Sequence, residues 1–260
     1  MEFPRVATAT LPAPAGRDVC TTCGLTGAVV PYRRVGDWPL VRCRDCGLVS
    51  LSGSRDAGGD LSATNEPFFS NEDFHRWFLD NEPVFRERSR RDLDELARFA
   101  NPGRLLDVGC GVGLFLDEAR RCGWQVQGLE ASAAPGRIAR ERFGLPVITA
   151  TIADAGLPDR SFDVVTFFDV LEHLPDPRAA LDRAARILRP GGLLVAQSPN
   201  LQSLMARLTG EQWRWYFLPQ HLHHFTPSTL GRLLCATGLR PVRVRTLDSI
   251  DEFAANLRDR

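Results

Sequence analysis

Two cysteine pairs, Cys20-x-x-Cys23 and Cys43-x-x-Cys46, stand 19 residues apart, and each is followed by a glycine, Gly24 and Gly47. Knuckles of this spacing bring four thiolates to one tetrahedral zinc ion at about 2.3 Å each. A closed four-cysteine site keeps no position open for substrate. The expected role of the metal is therefore to stabilise a small ribbon whose own core cannot fold it. The remaining Cys110, Cys122 and Cys235 are isolated and read as small packing residues.

A second constellation begins at Leu105-Leu106-Asp107-Val108, which runs into Gly109-Cys110-Gly111-Val112-Gly113 and then an amphipathic stretch. Strand, tight turn and helix N-terminus in that order bind cofactors at the carboxyl edge of a sheet. The dinucleotide fingerprint G-x-G-x-x-G needs glycine at position 114, which is Leu114, so a pyrophosphate loses ground. Asp107 would repel a phosphate and attract an ammonium group. Glu130 follows Gly111 by nineteen residues and ends the next strand, where an acid can accept hydrogen bonds from ribose hydroxyls. A cofactor with a cationic amino group and no phosphate fits this pattern.

Acid–base chemistry falls to histidine. His221, His223 and His224 lie in LPQHLHHFTPSTL, after the last strand of the alternating region, where doubly wound folds place substrate-facing loops. His223 and His224 are adjacent and should point apart in an extended segment, which makes joint metal ligation awkward. His173, in Leu171-Glu172-His173-Leu174, ends the fourth strand region, and Asp169 and Asn200 end neighbouring strands where a magnesium ion could sit. Trp213, Trp215, Tyr216 and Phe217 form an aromatic run that reads as a lid over an apolar or sugar-like acceptor.

From about Arg88 to Thr246 the chain resembles the class I S-adenosylmethionine (SAM)-dependent methyltransferases, among them the ubiquinone-pathway and sugar or natural-product O-methyltransferases. LLDVGCGVGLFL resembles their first motif, GLEAS the ribose-binding motif, FDVVTFFDVLEHLPDP the fourth-strand motif and RILRPGGLLVAQSPN the entry to the fifth strand. The resemblance implies Asp107, Gly109 and Gly111 near the methionine part of SAM and Glu130 on the ribose. It puts Ile152 with Asp154 beside the adenine, with Gly113 and Phe168 completing the set. Many relatives carry an acid where this chain has Thr151. His221 and His223 fall on recurrent positions of the family, whereas His224 is often aromatic there. The phrase LVRCRDCGLV is similar to a group of bacterial methyltransferases with the same zinc module that act on deoxysugars, surface glycans and natural products. A second group of that layout methylates ribosomal RNA. The leading expectation is methyl transfer from SAM to a small-molecule acceptor, at a hydroxyl, with His221, His223 and His173 as catalytic candidates and a structural Zn2+. An RNA methyltransferase and a non-catalytic SAM-binding interaction protein are the alternatives.

These residues need elements to hold them. The chain has 260 residues, 43% hydrophobic and 25% charged, enough for one α/β domain with an appendage. All 32 basic residues are arginine, balanced by 32 acids, and the absence of lysine removes Schiff-base chemistry and the P-loop. Neutral charge disfavours a nucleic-acid partner. No apolar leader or spanning segment is visible, so the reading is cytoplasmic, with no membrane partner and with oligomeric state illegible. Strands are expected at 105–108, 125–129, 146–152, 162–168, 193–197 and 241–246, and helices at 114–121, 135–143, 179–188 and 228–237. That alternation calls for an α/β, Rossmann-like doubly wound, mostly parallel sheet, preceded by a small zinc ribbon. The expected organisation is a frayed tail over 1–18, a zinc-ribbon module over 19–51, a linker over 52–70 and two helices over 71–100 broken near Pro83. The SAM-binding domain then runs over 101–260, with a lid insert at about 201–225. Asp248 to Arg260 offers no segment for a seventh, antiparallel strand.

Overall fold

A computed structural model describes residues 20, 22–24, 28–53 and 68–246. The expected tail, most of the expected linker and the segment after residue 246 lie outside the described residues.

The N-terminal part forms β1 (Val29–Val35), β2 (Trp38–Cys43) and β3 (Val49–Leu51), paired antiparallel. Gly36 turns the first hairpin with φ of 56°, a left-handed conformation that glycine adopts without a Cβ penalty. Two helices follow, α1 (Glu72–Asp80) and α2 (Glu82–Leu96). The Asn71 side chain caps α1 by accepting from the N–H groups of Asp73 and Phe74, and Pro83 lies in the first turn of α2, where its missing N–H costs nothing.

The main sheet comprises β4 (Arg104–Val108), β5 (Gln125–Glu130), β6 (Val147–Thr149), β7 (Phe162–Phe168) and β8 (Leu188–Gln197). They lie in the order β6-β5-β4-β7-β8, all parallel. The crossovers are α3 (Leu114–Arg121), α4 (Ala133–Phe143) and α5 (Pro177–Ile187). The sheet reverses direction of winding between β4 and β7, the position at which such folds bind ligands. β8 begins earlier than expected because Pro190-Gly191-Gly192 forms an irregularity inside the strand, where the register with β7 shifts between Phe162 and Val164.

After β8 come α6 (Leu204–Thr209), two short 3₁₀ turns, β9 (His223–His224) and α7 (Pro227–Ala236). The expected strand at Pro241–Thr246 is absent. That segment has alternating Val and Arg, but Val242 and Val244 are exposed, while Arg243 and Arg245 pair with Glu95 and Asp92 on α2. The ion pairs draw the chain along α2.

β9 does not extend the parallel sheet. It joins β3, so the second sheet runs β1-β2-β3-β9 and combines the cysteine module with the segment that carries the histidines. Leu40, Val49 and Leu51 from the module pack with Met205, Trp213, Tyr216 and Leu222 in one buried cluster. Among the described residues no helix is long and apolar enough to cross a membrane.

Candidate cofactor and acceptor site

The glycine loop leaves β4 and returns at once to β5: the N–H groups of Gly109 and Cys110 both donate to the Leu129 carbonyl, at 2.7 and 3.0 Å. Gly109, Gly111 and Gly113 have φ of 70°, 53° and 87°. A Cβ on Gly109 would meet Val170 at 2.6 Å and one on Gly113 would meet Leu145 at 2.6 Å, whereas a Cβ on Gly111 would meet nothing within 4 Å. The first and third glycines therefore serve packing. The second has open space on its Cβ side, where a ligand can approach the chain closely.

Asp107 is 3% exposed at the end of β4 and accepts a 2.6 Å hydrogen bond from the Thr166 hydroxyl of β7. Burial pushes its carboxyl up to about 7; the Thr166 bond works against this rise and the nearby Glu130 adds to it. A carboxyl so raised gains an ion pair when a cation arrives. At the end of β5, Glu130 accepts from the Gly111 N–H (2.8 Å) and the Ser132 N–H (2.9 Å). Each bond occupies one lone pair and leaves others for a diol, so the carboxylate is aimed by backbone before a ribose arrives. Ile152 is buried beyond β6, and the exposed Asp154 accepts from the Thr151 hydroxyl in the same turn. Phe168 is half-buried at the end of β7 and packs on Phe115 of α3 with ring centroids 4.7 Å apart. These cofactor candidates line the carboxyl ends of β4, β5, β6 and β7, as a SAM-sized nucleoside with a cationic tail requires.

On the far side of the switch point, Asp169 takes a positive φ of 54° just after β7. A non-glycine residue held there stores backbone strain, and its carboxylate is gripped by Arg88 of α2 at 2.9 Å and by Gln197 of β8. Asn200, the other magnesium candidate, instead accepts from the Gln202 N–H in its own turn.

The 3₁₀ turn Leu171–His173 places His173 opposite His221, with ring centroids 4.6 Å apart. His173 Nδ1 lies 2.9 Å from the Gln220 carbonyl and His221 Nδ1 lies 2.8 Å from the Trp215 carbonyl. A carbonyl can only accept, so both rings carry the proton on Nδ1 and offer Nε2 as an acceptor. Burial lowers the basicity of both, and for His221 the neighbouring His173 and His224 lower it further, well below the usual histidine range. Phe69 and Phe217 stand edge-on to His173 and His221 at 5.2 Å each, and Trp215 lies parallel to His221.

Glu172, which the residue pattern does not single out, is fully buried beside these histidines with neither carboxyl oxygen hydrogen-bonded. Burial, aided by Asp169, holds its carboxyl well above the usual range, and the Ser198 hydroxyl beside it stands outside hydrogen-bonding geometry. Ligand atoms of Glu172, His173 and His221 all lie within 4.8 Å of one another, a spacing that a single cation could bridge. The signal was present in the LEH turn, where the acid is adjacent in sequence to a histidine that the fold turns inward.

His223 and His224 point to opposite faces of β9, as adjacent residues in a strand must. His223 bonds Ser50 and the Leu174 carbonyl, both at 3.0 Å, and His224 packs edge-on to Tyr216. The four cysteines come together as well: Cys20 and Cys46 sulfurs are 3.3 Å apart, Cys23 and Cys43 sulfurs 3.6 Å, and all four lie within 4.8 Å of one another. Tetrahedral zinc with bonds of about 2.3 Å sets sulfurs about 3.8 Å apart, so this donor set fits the metal.

A parallel switched sheet, a glycine loop with an open backbone and acids at the ends of β4 and β5 define a class I methyltransferase architecture. A family model described as "Methyltransferase domain" matches residues 84–244, and the chain belongs to that family. Ubiquinone biosynthesis O-methyltransferases are similar to it. The protein from Cereibacter sphaeroides is 35% identical over 150 residues, covering 54% of this chain and 61% of that protein. The one from Ralstonia nicotianae is 31% identical over 157 residues, 56% of this chain and 66% of that protein. The chain thus spans less than two thirds of the length of either relative. A SAM-dependent methyltransferase structure from Thermotoga maritima superposes with a TM-score of 0.53 at 26% identity, over 68% of this chain and 80% of that one. Magnesium protoporphyrin IX methyltransferase from Synechocystis, solved with bound SAH, shares the fold with a TM-score of 0.58 at 17% identity, over 72% and 94%.

Proposed function

We propose that the chain is a SAM-dependent methyltransferase that methylates a hydroxyl group of a small-molecule acceptor. When bound, SAM supplies an electrophilic methyl group for in-line displacement. Asp107 would pair with its ammonium group, the Gly111 backbone would pass beneath it, Glu130 would hold its ribose, and Ile152 with Asp154 would flank the adenine. His221 would take the acceptor proton at Nε2, with His173 sharing the proton and the Trp215 and Gln220 carbonyls fixing the two tautomers.

The observation that carries this reading is the carbonyl-anchored pair of imidazoles, His221 buried and His173 half-buried in the turn that follows β7, whose Nε2 atoms are acceptors. The flanking Phe69, Trp215 and Phe217 suit an acceptor with a planar or apolar body, and the ubiquinone-pathway relatives support a hydroxyl as the methylated group. We read the cysteine cluster as a structural zinc site.

The test is turnover of SAM to S-adenosylhomocysteine with a panel of catechols, hydroxylated natural products and nucleotide sugars. His221→Ala should lower kcat by about 10²-fold or more and leave SAM affinity nearly unchanged. No turnover with any hydroxylated acceptor, or full activity in that variant, would overturn the assignment.

A further inference from the structure

The cysteine cluster performs no chemistry in this reading, yet hydrogen bonds connect it to the acceptor histidines over a short path. The Cys43 N–H, at the end of β2, donates to the Leu48 carbonyl at 2.9 Å, and β2 pairs with β3, Val41 opposite Ser50. β3 pairs with β9, Ser50 opposite His223. The Leu51 N–H donates to the Leu222 carbonyl at 2.8 Å and the Leu222 N–H to the Glu172 carbonyl at 2.7 Å.

The His223 side chain closes the same path. Its Nε2 faces the Leu174 carbonyl and must carry the proton, so Nδ1 accepts from the Ser50 hydroxyl. With both nitrogens engaged, the ring is not a base. It fastens β3 to the turn that bears Glu172 and His173. β3 has three residues and β9 two, too short a ladder to stand without its neighbours. The other edge of β3 is β2, whose last residue is Cys43.

We propose that His223 is a positioning residue through which the closed cysteine cluster holds His173 and His221 in register, so that zinc occupancy governs methyl transfer and not SAM affinity. This rests on the reading of His221 and His173 as the acceptor-side histidines. When β3 loosens, the segment 220–222 loosens with it, and the Gln220 carbonyl no longer fixes the His173 tautomer. The hydrogen-bonded path passes through neither β4, β5 nor the glycine loop.

The experiment uses the full chain, zinc-loaded and ¹⁵N-labelled at histidine. Ring nitrogen signals of His173 and His221 are followed by NMR and SAM affinity by calorimetry, before and after chelation of zinc and in Ser50→Ala, His223→Ala and His223→Gln. Chelation and His223→Ala should each release both rings from their fixed tautomer while SAM affinity stays within about twofold, because the hydrogen bonds that carry the effect run through β2, β3 and β9 and touch none of the residues assigned to SAM. His223→Gln, which keeps a donor toward Leu174, should retain more of the fixed tautomer than His223→Ala. With an acceptor in hand, kcat should fall on the order of 100-fold with little change in KM, as misplacement of a reacting group does. Ring signals that ignore zinc removal would refute the proposal, and so would a collapse of SAM affinity in parallel, since the cluster would then merely prop up the whole fold. Full turnover in His221→Ala with the ring signals still coupled to zinc would sink the base assignment alone.

Discussion

The Asp107 carboxyl makes SAM binding a titration. Held up to about 7 by burial, it is roughly one-tenth ionised at pH 6, and only the ionised form pairs with an ammonium group. Observed SAM affinity should therefore rise about tenfold, or about 1.4 kcal/mol, for each pH unit from 5 toward 7, and level off above it. Above about pH 8 it should fall again as the α-amino group of SAM loses its own proton. In the ligand-free protein the same shift runs the other way. The folded chain holds a proton that the unfolded chain has released, so stability declines as pH rises from about 4 to 7. Calorimetry at several pH values, in buffers of different ionisation enthalpy, measures both affinity and proton count. About 0.9 proton should leave per SAM bound at pH 6. Asp107→Asn should bind weakly and without this slope, and Thr166→Val, which removes the bond that opposes the rise, should move the window to higher pH. A flat affinity between pH 5 and 7 in the wild type, with no proton release, would refute the pairing of Asp107 with the ammonium group.

Glu130→Ala should lose about one to a few kcal/mol of SAM affinity by calorimetry, since hydrogen bonds to a charged group vanish and the Gly111 and Ser132 N–H groups lose their acceptor. Cys43→Ser should lose its zinc by metal analysis and keep SAM binding. Arg86→Met should destabilise the fold by about 1.5 to 3 kcal/mol in denaturant melts, because Asp117 and Glu118, both buried on α3, lose the guanidinium that bridges them, while Arg120 and Arg121 still pair with Asp117 and Arg90 with Glu118. Gly113→Ala should also destabilise measurably, as its Cβ would press into Leu145 and Ala139 at a φ of 87°.

The cofactor half of the site was legible because its information is local. Strand, glycine turn, helix and the acid that ends the next strand all lie between residues 104 and 130, and each keeps the period of its element. The cysteine knuckles were legible for the same reason: metal geometry fixes their spacing. The acceptor half was legible as residue types and not as an arrangement. A two-residue strand such as β9 shows no periodicity, and its partner lies more than 170 residues away, so nothing in LPQHLHHF announces the pairing with β3. Glu172 was harder to read because its adjacency to His173 in the LEH turn signals residue type and not direction: nothing local says that both side chains converge on His221. At Pro241–Thr246 the alternation of Val and Arg satisfied the pattern of a strand, but a ladder needs an available edge, and acids on α2 captured the arginines instead.

The second sheet has a consequence for the order in which the molecule can be built. Ser50 and His223 are 173 residues apart, and a ribosome adding about 5 to 20 residues per second needs roughly 9 to 35 s to cover that interval. Throughout it, the first three strands exist with the outer edge of β3 unpaired and Leu40, Val49 and Leu51 without the partners that bury them. Zinc captured by the nascent cysteines would close the knuckles early and hold that edge in a defined shape until its fourth strand emerges. A chain made in zinc-poor conditions would meet its neighbours on the polysome with the edge open, so metal supply during synthesis should influence the yield of soluble protein as well as the finished fold.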